Sequence, residues 1–343
     1  MVVQLSQTER MKSRRFIYIM LIFTILMIVL LLISMDTGLI RLSPIDVVKT
    51  LLGAGTAKNE LILFDFRLPR IVLSVLVGAG LAVSGVILQG ISRNVLADPG
   101  ILGINAGAGL AVILFISFYS SKEAAPVFLL PFSALMGAGL TALLIYLLAF
   151  RKGEGIAPTR LILVGIAVAA GISAVMIVLT TRLDPRSFQL AAIWLAGSIW
   201  GTNWKFVLAL VPWLVILLPY AIYKARVLNV LSMHEQAAIS LGTAIERERL
   251  ALISTAVALA GSCVAVGGGI GFVGLIGPHL ARRLVGPNHQ HLIPASAMAG
   301  GLLLIAADTL ARYILQPSEI PVGIVVSVIG APYFLYLLAK SKA

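Results

Sequence analysis

The chain has 343 residues, of which 59% are hydrophobic and 12% are charged, and its mean hydropathy is +1.03. Soluble domains carry about twice that share of charged residues, and a soluble fold of this length cannot keep so much apolar surface away from water. The composition excludes a soluble enzyme, a secreted disulfide scaffold and a disordered chain. It predicts an integral membrane protein.

Ten apolar runs are candidates for membrane spans, because a bilayer core of about 30 Å needs about 20 apolar residues per helix. The third and eighth runs are short and rich in glycine. We therefore expect an all-α, polytopic membrane helix bundle of about ten transmembrane helices. In chain order the runs lie near residues 16–35, 71–91, 99–119, 126–150, 160–181, 193–223, 248–267, 271–286, 292–315 and 321–339.

The distribution of the basic residues predicts the orientation. If the N-terminus is inside, 16 Lys and Arg residues fall in inner segments and 10 in outer segments. Five of the outer ones share one long segment, where the positive-inside rule is weakest. Four basic residues between positions 10 and 15 also precede a first run too long for a signal peptide. Both termini are thus expected in the cytoplasm of a cell-membrane protein.

The whole chain, 1–343, is predicted to form one transmembrane domain. After the first span, residues 36–70 form an outer segment and 71–223 carry spans two to six. Residues 224–247 form a cytoplasmic segment with room for short helices, and 248–339 carry spans seven to ten. A weak repeat between the helices that begin at Arg70 and Arg249 has the pattern of inverted repeats in transporters.

Glycine and the few polar residues at membrane depth carry the remaining information. The run GGGIGFVGLIG, residues 267–277, predicts a tight turn followed by a short helix. Asp308 and Arg312 have the i,i+4 spacing that places both on one helix face, which suggests a structural ion pair. One buried carboxylate is weak support for ion coupling.

Sequence patterns typical of catalysis or metal binding are not found. There is no phosphate-binding loop and no metal-ligand spacing among the histidines, so no catalytic residue, metal site or cofactor is predicted. Cys263 cannot form an internal disulfide and is expected to be a core residue. His279 is expected to pack or hydrogen-bond, and His289 and His291 are expected to be solvated in an inner loop.

Six sequence blocks resemble the FecCD-type permeases, the membrane subunits of ABC importers for iron–siderophores, haem and cobalamin. They follow in the right order between about residues 60 and 340. They are FRLPR from Phe66, RNVLADPGILGINAGAG from Arg93, WLAGSIWG from Trp194, SLGTA from Ser240, GGIGFVGLIGPHLAR from Gly268, and ADTLAR from Ala307 with EIPVGIVVSVIGAPYFLYLL from Glu319.

The resemblance implies the fold of a type II ABC importer permease and a set of partners. A second permease subunit, identical or homologous, would enclose a central path together with this chain. Two copies of a cytoplasmic ATPase would hydrolyse ATP, so this subunit would not be an enzyme. An extracytoplasmic substrate-binding protein would deliver the cargo, and no nucleic acid is involved.

Three groups of residues match positions with known roles in the family. Arg67, Arg70 and Arg312 resemble the cations that dock the binding protein, although lipid-phosphate anchoring is an alternative. Arg312 cannot fully serve both docking and a tight pair with Asp308. The segment that ATPase subunits grip corresponds to Leu231, Glu235, Ala238, Ile239, Leu241 and Gly242. An ordinary surface helix that ends at its glycine is the alternative there.

The inner ends of the second and fifth spans resemble the family's cytoplasmic gate. This sequence has Val95 where the family commonly has proline, which leaves the stiffness of the gate open. The fifth and tenth spans would line the path. The gate residues are Asn94, Val95, Leu96, Ala157, Pro158 and Thr159.

The function predicted from these features is permeation of a ferric siderophore, of hydroxamate type, through an ATP-driven importer. Cobalamin and haem are the alternative cargoes within the same family. A proton- or sodium-coupled secondary carrier is a different class, which would predict several membrane carboxylates. An intramembrane enzyme would require a catalytic set that the sequence lacks.

Overall fold

The computed structural model describes residues 2–38, 42–100, 103–118, 128–151, 155–233, 245–315 and 318–340. Apart from connections and one antiparallel pair of two-residue strands, Phe150–Arg151 and Gly155–Ile156, these residues are helical, which confirms the all-α class. The helices are α1 (Val2–Asp36), α2 (Pro44–Leu51), α3 (Ala57–Glu60), a π-helix (Leu61–Arg67), α4 (Leu68–Ser92), α5 (Ile104–Phe118), α6 (Leu129–Ala149), α7 (Pro158–Thr180), α8 (Pro185–Leu195), α9 (Trp204–Tyr223), α10 (Ala225–Leu231), α11 (Ile245–Gly267), α12 (Val273–Val285), α13 (His289–Ile314) and α14 (Val322–Lys340).

Eight helical segments of the described chain are long and apolar enough to cross a membrane. The other two predicted spans, the glycine-rich third and eighth, correspond to α5 with 15 residues and α12 with 13 residues. At 1.5 Å per residue these two helices are about 22 and 20 Å long, less than the bilayer core. The eight segments are Ser13–Asp36, Ala57–Ser92, Leu129–Ala149, Thr159–Thr180, Trp204–Tyr223, Ile245–Gly267, His289–Ile314 and Val322–Ala339.

The sixth predicted span, 193–223, begins too early. The helix α8 ends at Leu195, and α9 begins only at Trp204. Between them, Gly197 and Gly201 have positive φ angles of 77° and 72°, a conformation that breaks a helix. The predicted outer segment, 36–70, contains α2, α3 and the π-helix, and from Ala57 onward it runs without a break into α4.

The helix α4 lies at the centre of the bundle, with most of its residues buried. It packs against α12 and α13 at positions where neither side has a side chain. A Cβ atom at Gly78 would overlap the backbone of Gly300 in α13, and a Cβ at Gly85 would overlap the backbone of Gly274 in α12. Small residues at such contacts allow helices in a membrane to approach closely.

The predicted turn and short helix in the run GGGIGFVGLIG are confirmed. The helix α11 ends at Gly267, and the next residue, Gly268, has a φ of 72°. Phe272 precedes α12 with a φ of 64°, which is unusual for a bulky residue. Its ring packs edge-on against Phe334 of α14, with 6.5 Å between ring centroids. The turn is therefore held by the last helix.

The bundle has two ends, which we call the arginine end and the opposite end. At the arginine end, α1 finishes next to the start of α4 and the finish of α13. At the opposite end, the first part of α1 meets the start of α13, where Phe16 and His291 stack with 4.6 Å between their centroids. Arg283 also lies 6.0 Å from the ring of Tyr336 near the end of α14. The N-terminal end of α1 and the C-terminal end of α14 thus lie at the same end of the bundle.

Candidate functional site

A π-helix ends at one predicted docking residue, Arg67, and a second, Arg70, follows in the first turn of α4. In the segment Leu61–Arg67 the backbone N–H of Leu68 bonds to the carbonyl of Leu63, five residues back. Pro69 follows directly and has no N–H to donate, so the α-helical ladder is interrupted where the register changes. Short π-helical turns occur frequently at functional sites. This one sets the direction in which Arg67 and Arg70 leave the helix.

Arg67 and Arg312 bind the end of α1. Arg67 Nη1 donates to the carbonyl of Met35. Arg312 Nη1 donates to the carbonyls of Ser34 and Thr37, at 3.1 and 2.8 Å, and its Nη2 donates to the Ser34 hydroxyl. The last carbonyls of a helix lack intrahelical donors, and a cation is favoured at this negative end of the helix dipole. The two arginines therefore cap α1, and they are only 6% and 5% exposed.

Arg70 lies between two carboxylates. Its Nε and Nη2 approach Asp308 Oδ1 at 2.9 and 2.8 Å, and its Nη1 donates to Glu319 Oε2 at 2.7 Å. Asp308 also faces Arg312, with 3.1 Å between Oδ2 and Nε, which confirms the predicted i,i+4 pair. The bond of Asp308 to Arg70 was not predicted, because no local pattern connects residues 238 positions apart.

All three arginines line a cavity of about 660 Å³ at the arginine end. We call this cavity the arginine pocket. Four of its lining residues are cations and two are carboxylates, so its wall carries an excess of positive charge. A pocket of this kind suits an anionic side chain. The charged lining residues are Lys58, Asp65, Arg67, Arg70, Arg312 and Glu319.

At the opposite end, the two predicted halves of the gate lie close together. A small cavity of about 30 Å³ is lined by Asn94 and Leu96 on one side and by Leu161 and Ile162, in the first turns of α7, on the other. Ala157 is the residue before α7, which begins Pro158, Thr159. The side chain of Val95, at the position where the family commonly has proline, is 46% exposed.

Asp98 follows the predicted gate residues and was not itself predicted to have a role. It is buried, and its Oδ1 accepts a hydrogen bond from the N–H of Gly100 at 2.7 Å. Burial raises the pKa of this carboxyl group to about 6, although the bond from Gly100 opposes the shift. Its other oxygen lies beside Gly274 in the first turn of α12. An acidic residue within an apolar, glycine-rich block was the available signal.

The predicted coupling segment is described only at its start. Leu231, the last residue of α10, is 3% exposed, and its carbonyl accepts a hydrogen bond from Arg93 Nε at 3.0 Å. Arg93 has a φ of 52° and directly precedes the gate residue Asn94. The coupling segment is thereby bonded to the gate loop. The other predicted coupling residues, Glu235, Ala238, Ile239, Leu241 and Gly242, lie outside the described residues.

The prediction of a loop is wrong for both His289 and His291, which lie in α13, and the predicted solvation is wrong for His289. His289 is the first residue of α13 and is 4% exposed. Its Nδ1 lies 2.8 Å from Asn229 Oδ1, and its N–H donates to the same oxygen at 2.9 Å. Asn229 belongs to α10, so this contact ties the start of the coupling segment to α13. The signal was non-local, since 60 residues separate the partners.

Comparison with known proteins identifies full-length relatives. The sequence profile described as the FecCD transport family matches residues 25–340. The chain is 53% identical over 335 residues to the iron(3+)-hydroxamate import system permease protein FhuG of Bacillus subtilis (strain 168), covering 96% of this chain and 99% of FhuG. It is 47% identical over 334 residues to the Fe(3+)-citrate import system permease protein YfmE of the same organism, covering 97% and 98% of the two chains.

A solved structure has the same fold. It is described as a metal-chelate type ABC transporter in an inward-facing conformation. The TM-score is 0.81 at 33% sequence identity, and the match covers 93% of this chain and 97% of the other. The similarity therefore extends over the whole bundle.

We expect the substitution Asp308→Ala to destabilise the protein by about 3–5 kcal/mol, because it leaves two buried guanidinium groups without their shared carboxylate. Thermal unfolding in detergent, followed by tryptophan fluorescence, measures the effect. Asp65→Ala is the matched control, since Asp65 is exposed on the wall of the same pocket, and it should change stability by less than about 0.5 kcal/mol. Equal unfolding midpoints for the two variants would contradict the structural role of Asp308.

We expect Asp98→Asn to stabilise the protein at pH 7.5. The folded pKa of about 6 lies above the usual value, so stability falls as the pH rises from about 4 to 6, and the full loss is present at pH 7.5. Asparagine keeps an acceptor for the N–H of Gly100 and carries no charge. The difference in unfolding midpoint between variant and wild type should shrink as the pH falls from 6 to 4. A difference that is constant with pH would show that the Asp98 charge is not responsible.

Proposed function

Because the chain belongs to the FecCD transport family, we infer that it is the membrane-spanning permease subunit of an ATP-driven ABC importer of type II. The fold shared with a metal-chelate type ABC transporter over 93% of the chain supports this assignment. The protein is embedded in the membrane through multiple spans. ATP hydrolysis is assigned to a partner ATPase, and the permease itself is non-catalytic.

The proposed cargo is a ferric siderophore of the hydroxamate type. The observation that carries this proposal is the 53% identity, over nearly the full length of both chains, to a permease named for iron(3+)-hydroxamate import. Ferric citrate is the second candidate, because a relative named for that cargo is 47% identical over a similar length. In either case the iron would cross inside its organic chelator. Cobalamin and haem remain alternatives within the family.

We place the arginine end outside the cell and the opposite end in the cytoplasm. The excess of Lys and Arg in the inner segments, 16 against 10, supports this orientation. The N-terminal end of α1 and the C-terminal end of α14 lie at the same end of the bundle, as an even number of crossings requires. In the assembly, two permease subunits, identical or homologous, would enclose the path, with two ATPase subunits on the cytoplasmic side.

The arginine pocket is the proposed docking site for the substrate-binding protein. It is open at the outer end and carries excess positive charge, so acidic side chains on the partner would find both charge and depth. Complementary charges of this kind fix the register of two proteins and speed their encounter. Arg67 and Arg312 are almost fully buried on α1, which leaves Arg70 as the guanidinium most available to a partner.

The cytoplasmic contacts suggest how ATPase movement reaches the gate. The ATPase would grip the segment from Leu231 to Gly242. Displacement of this segment would pull on Arg93 through its bond to the Leu231 carbonyl, and on α13 through the contact between Asn229 and His289. The first path is short because Arg93 adjoins the gate residue Asn94. The gate between the ends of α4 and α7 would then open or close with the nucleotide cycle.

Uptake of radiolabelled iron tests the proposed cargo. A strain deleted for this gene, and the same strain complemented with it, are supplied with labelled iron as hydroxamate, catecholate and citrate chelates in turn. Labelled cobalamin and haem are tested alongside. We expect deletion to abolish uptake of ferric hydroxamate alone and complementation to restore it. Loss confined to citrate, cobalamin or haem would retain the importer and replace the cargo. Unchanged uptake of every compound would remove the support for all of these cargoes.

We expect Gly242→Trp to detach or uncouple the ATPase, because a bulky side chain would prevent close approach at the coupling segment. Co-purification of the ATPase with the tagged permease, and iron uptake by the same cells, measure the two effects. Gly139→Trp is the control, since a Cβ atom at this glycine in α6 meets nothing within 4 Å. Normal co-purification and uptake with Gly242→Trp would show that the ATPase does not grip this position.

A further inference from the structure

The two carboxylates that hold Arg70 are in different environments. The Asp308 side chain is 0% exposed, whereas the Glu319 side chain is 26% exposed and lines the arginine pocket. The Arg70 side chain itself is 12% exposed. The buried side of the guanidinium is therefore paired with Asp308, which solvent does not reach. Its pocket side is paired with Glu319, which water and a partner protein can reach.

The pocket side of Arg70 is also the position that an incoming acidic side chain would need. Arg67 and Arg312 direct their donors to the end of α1, so they offer little to a partner. Arg70 Nη1 points into the pocket, but Glu319 Oε2 already accepts its hydrogen bond at 2.7 Å. A partner carboxylate bound beside Glu319 would meet a like charge, which is unfavourable in a partly desolvated site.

We propose that Glu319 is an internal substitute for the carboxylate of the binding protein, and that docking exchanges one for the other on Arg70. Asp308 stays in place, Glu319 moves out into water, and the partner's acidic side chain takes over the bond to Nη1. The exchange keeps the number of carboxylates on Arg70 at two. This inference rests on the proposed docking of the binding protein at the arginine pocket.

The position of Glu319 gives the exchange a consequence inside the membrane. Glu319 is followed by Ile320 and Pro321, and α14 begins at the next residue, Val322. Two backbone bonds also hold this region: the Ile320 N–H lies 3.5 Å from the Ala311 carbonyl of α13, and the Gly323 N–H donates to the Gly197 carbonyl at 3.0 Å. Release of Glu319 from Arg70 therefore loosens the connection between α13 and α14. Docking would be reported to the last span through this short connection.

Binding affinity tests the exchange. The permease–ATPase complex, reconstituted in nanodiscs, is titrated against the immobilised substrate-binding protein encoded with it. We expect Glu319→Gln to bind about tenfold more tightly than wild type, because the internal competitor has lost its charge. Asp65→Asn is the matched control, which removes the same charge from the wall of the same pocket, and it should change affinity less than about threefold. Thermal unfolding confirms that each variant is folded.

Two further variants separate this inference from the docking proposal. Arg70→Gln should weaken binding, and in the double variant Arg70→Gln/Glu319→Gln the gain from Glu319→Gln should disappear, because the two carboxylates compete only for Arg70. Weak binding by Arg70→Gln together with equal affinities for Glu319→Gln and Asp65→Asn would overturn the exchange and leave docking intact. A gain that persists without Arg70 would also overturn it. Wild-type affinity for Arg70→Gln would overturn the docking proposal itself.

Discussion

Three buried arginines join helices that are far apart in the sequence, and the arginine end of the bundle depends on them. A buried guanidinium is favourable only when its donors are all used and its charge is balanced. Here the donors of Arg67 and Arg312 satisfy the carbonyls at the end of α1, and Asp308 balances Arg70 and Arg312 together. One cluster thus closes the end of the first span, fixes α4 against α13, and forms the floor of the proposed docking pocket.

The rest of the bundle is held differently, by backbones in direct contact and by a few side-chain to main-chain bonds. Close approach at Gly78 and Gly85 places α4 against α13 and α12 without any intervening side chain. The ends of these helices then meet α10 through Arg93 and Asn229. A rigid centre with polar contacts at this rim fits the proposal that a partner ATPase moves only the rim.

Local sequence patterns predicted the parts of this arrangement that are themselves local. Apolar run lengths gave the long helices, the glycine run gave the turn before α12, and i,i+4 spacing gave the pair of Asp308 with Arg312. The bonds of Arg70 to Asp308, of Arg312 to α1 and of His289 to Asn229 join segments that are 60 to 278 residues apart. No spacing rule encodes such contacts. The family resemblance named Arg67, Arg70 and Arg312, whereas their burial and their pairing partners required the fold.

The capping of α1 by Arg312 also bears on how the chain is made. Arg312 lies 278 residues after Ser34, whose carbonyl it binds. At translation rates of about 5–20 residues per second, it emerges roughly 15 to 55 seconds after the first span. During that interval the carbonyls at the end of α1 must be hydrated or bonded to lipid headgroups at the membrane interface. The first span is inserted early, but its end is capped only after α13 has been made, so a chain interrupted before α13 presents an uncapped helix end to the cell's membrane proteases.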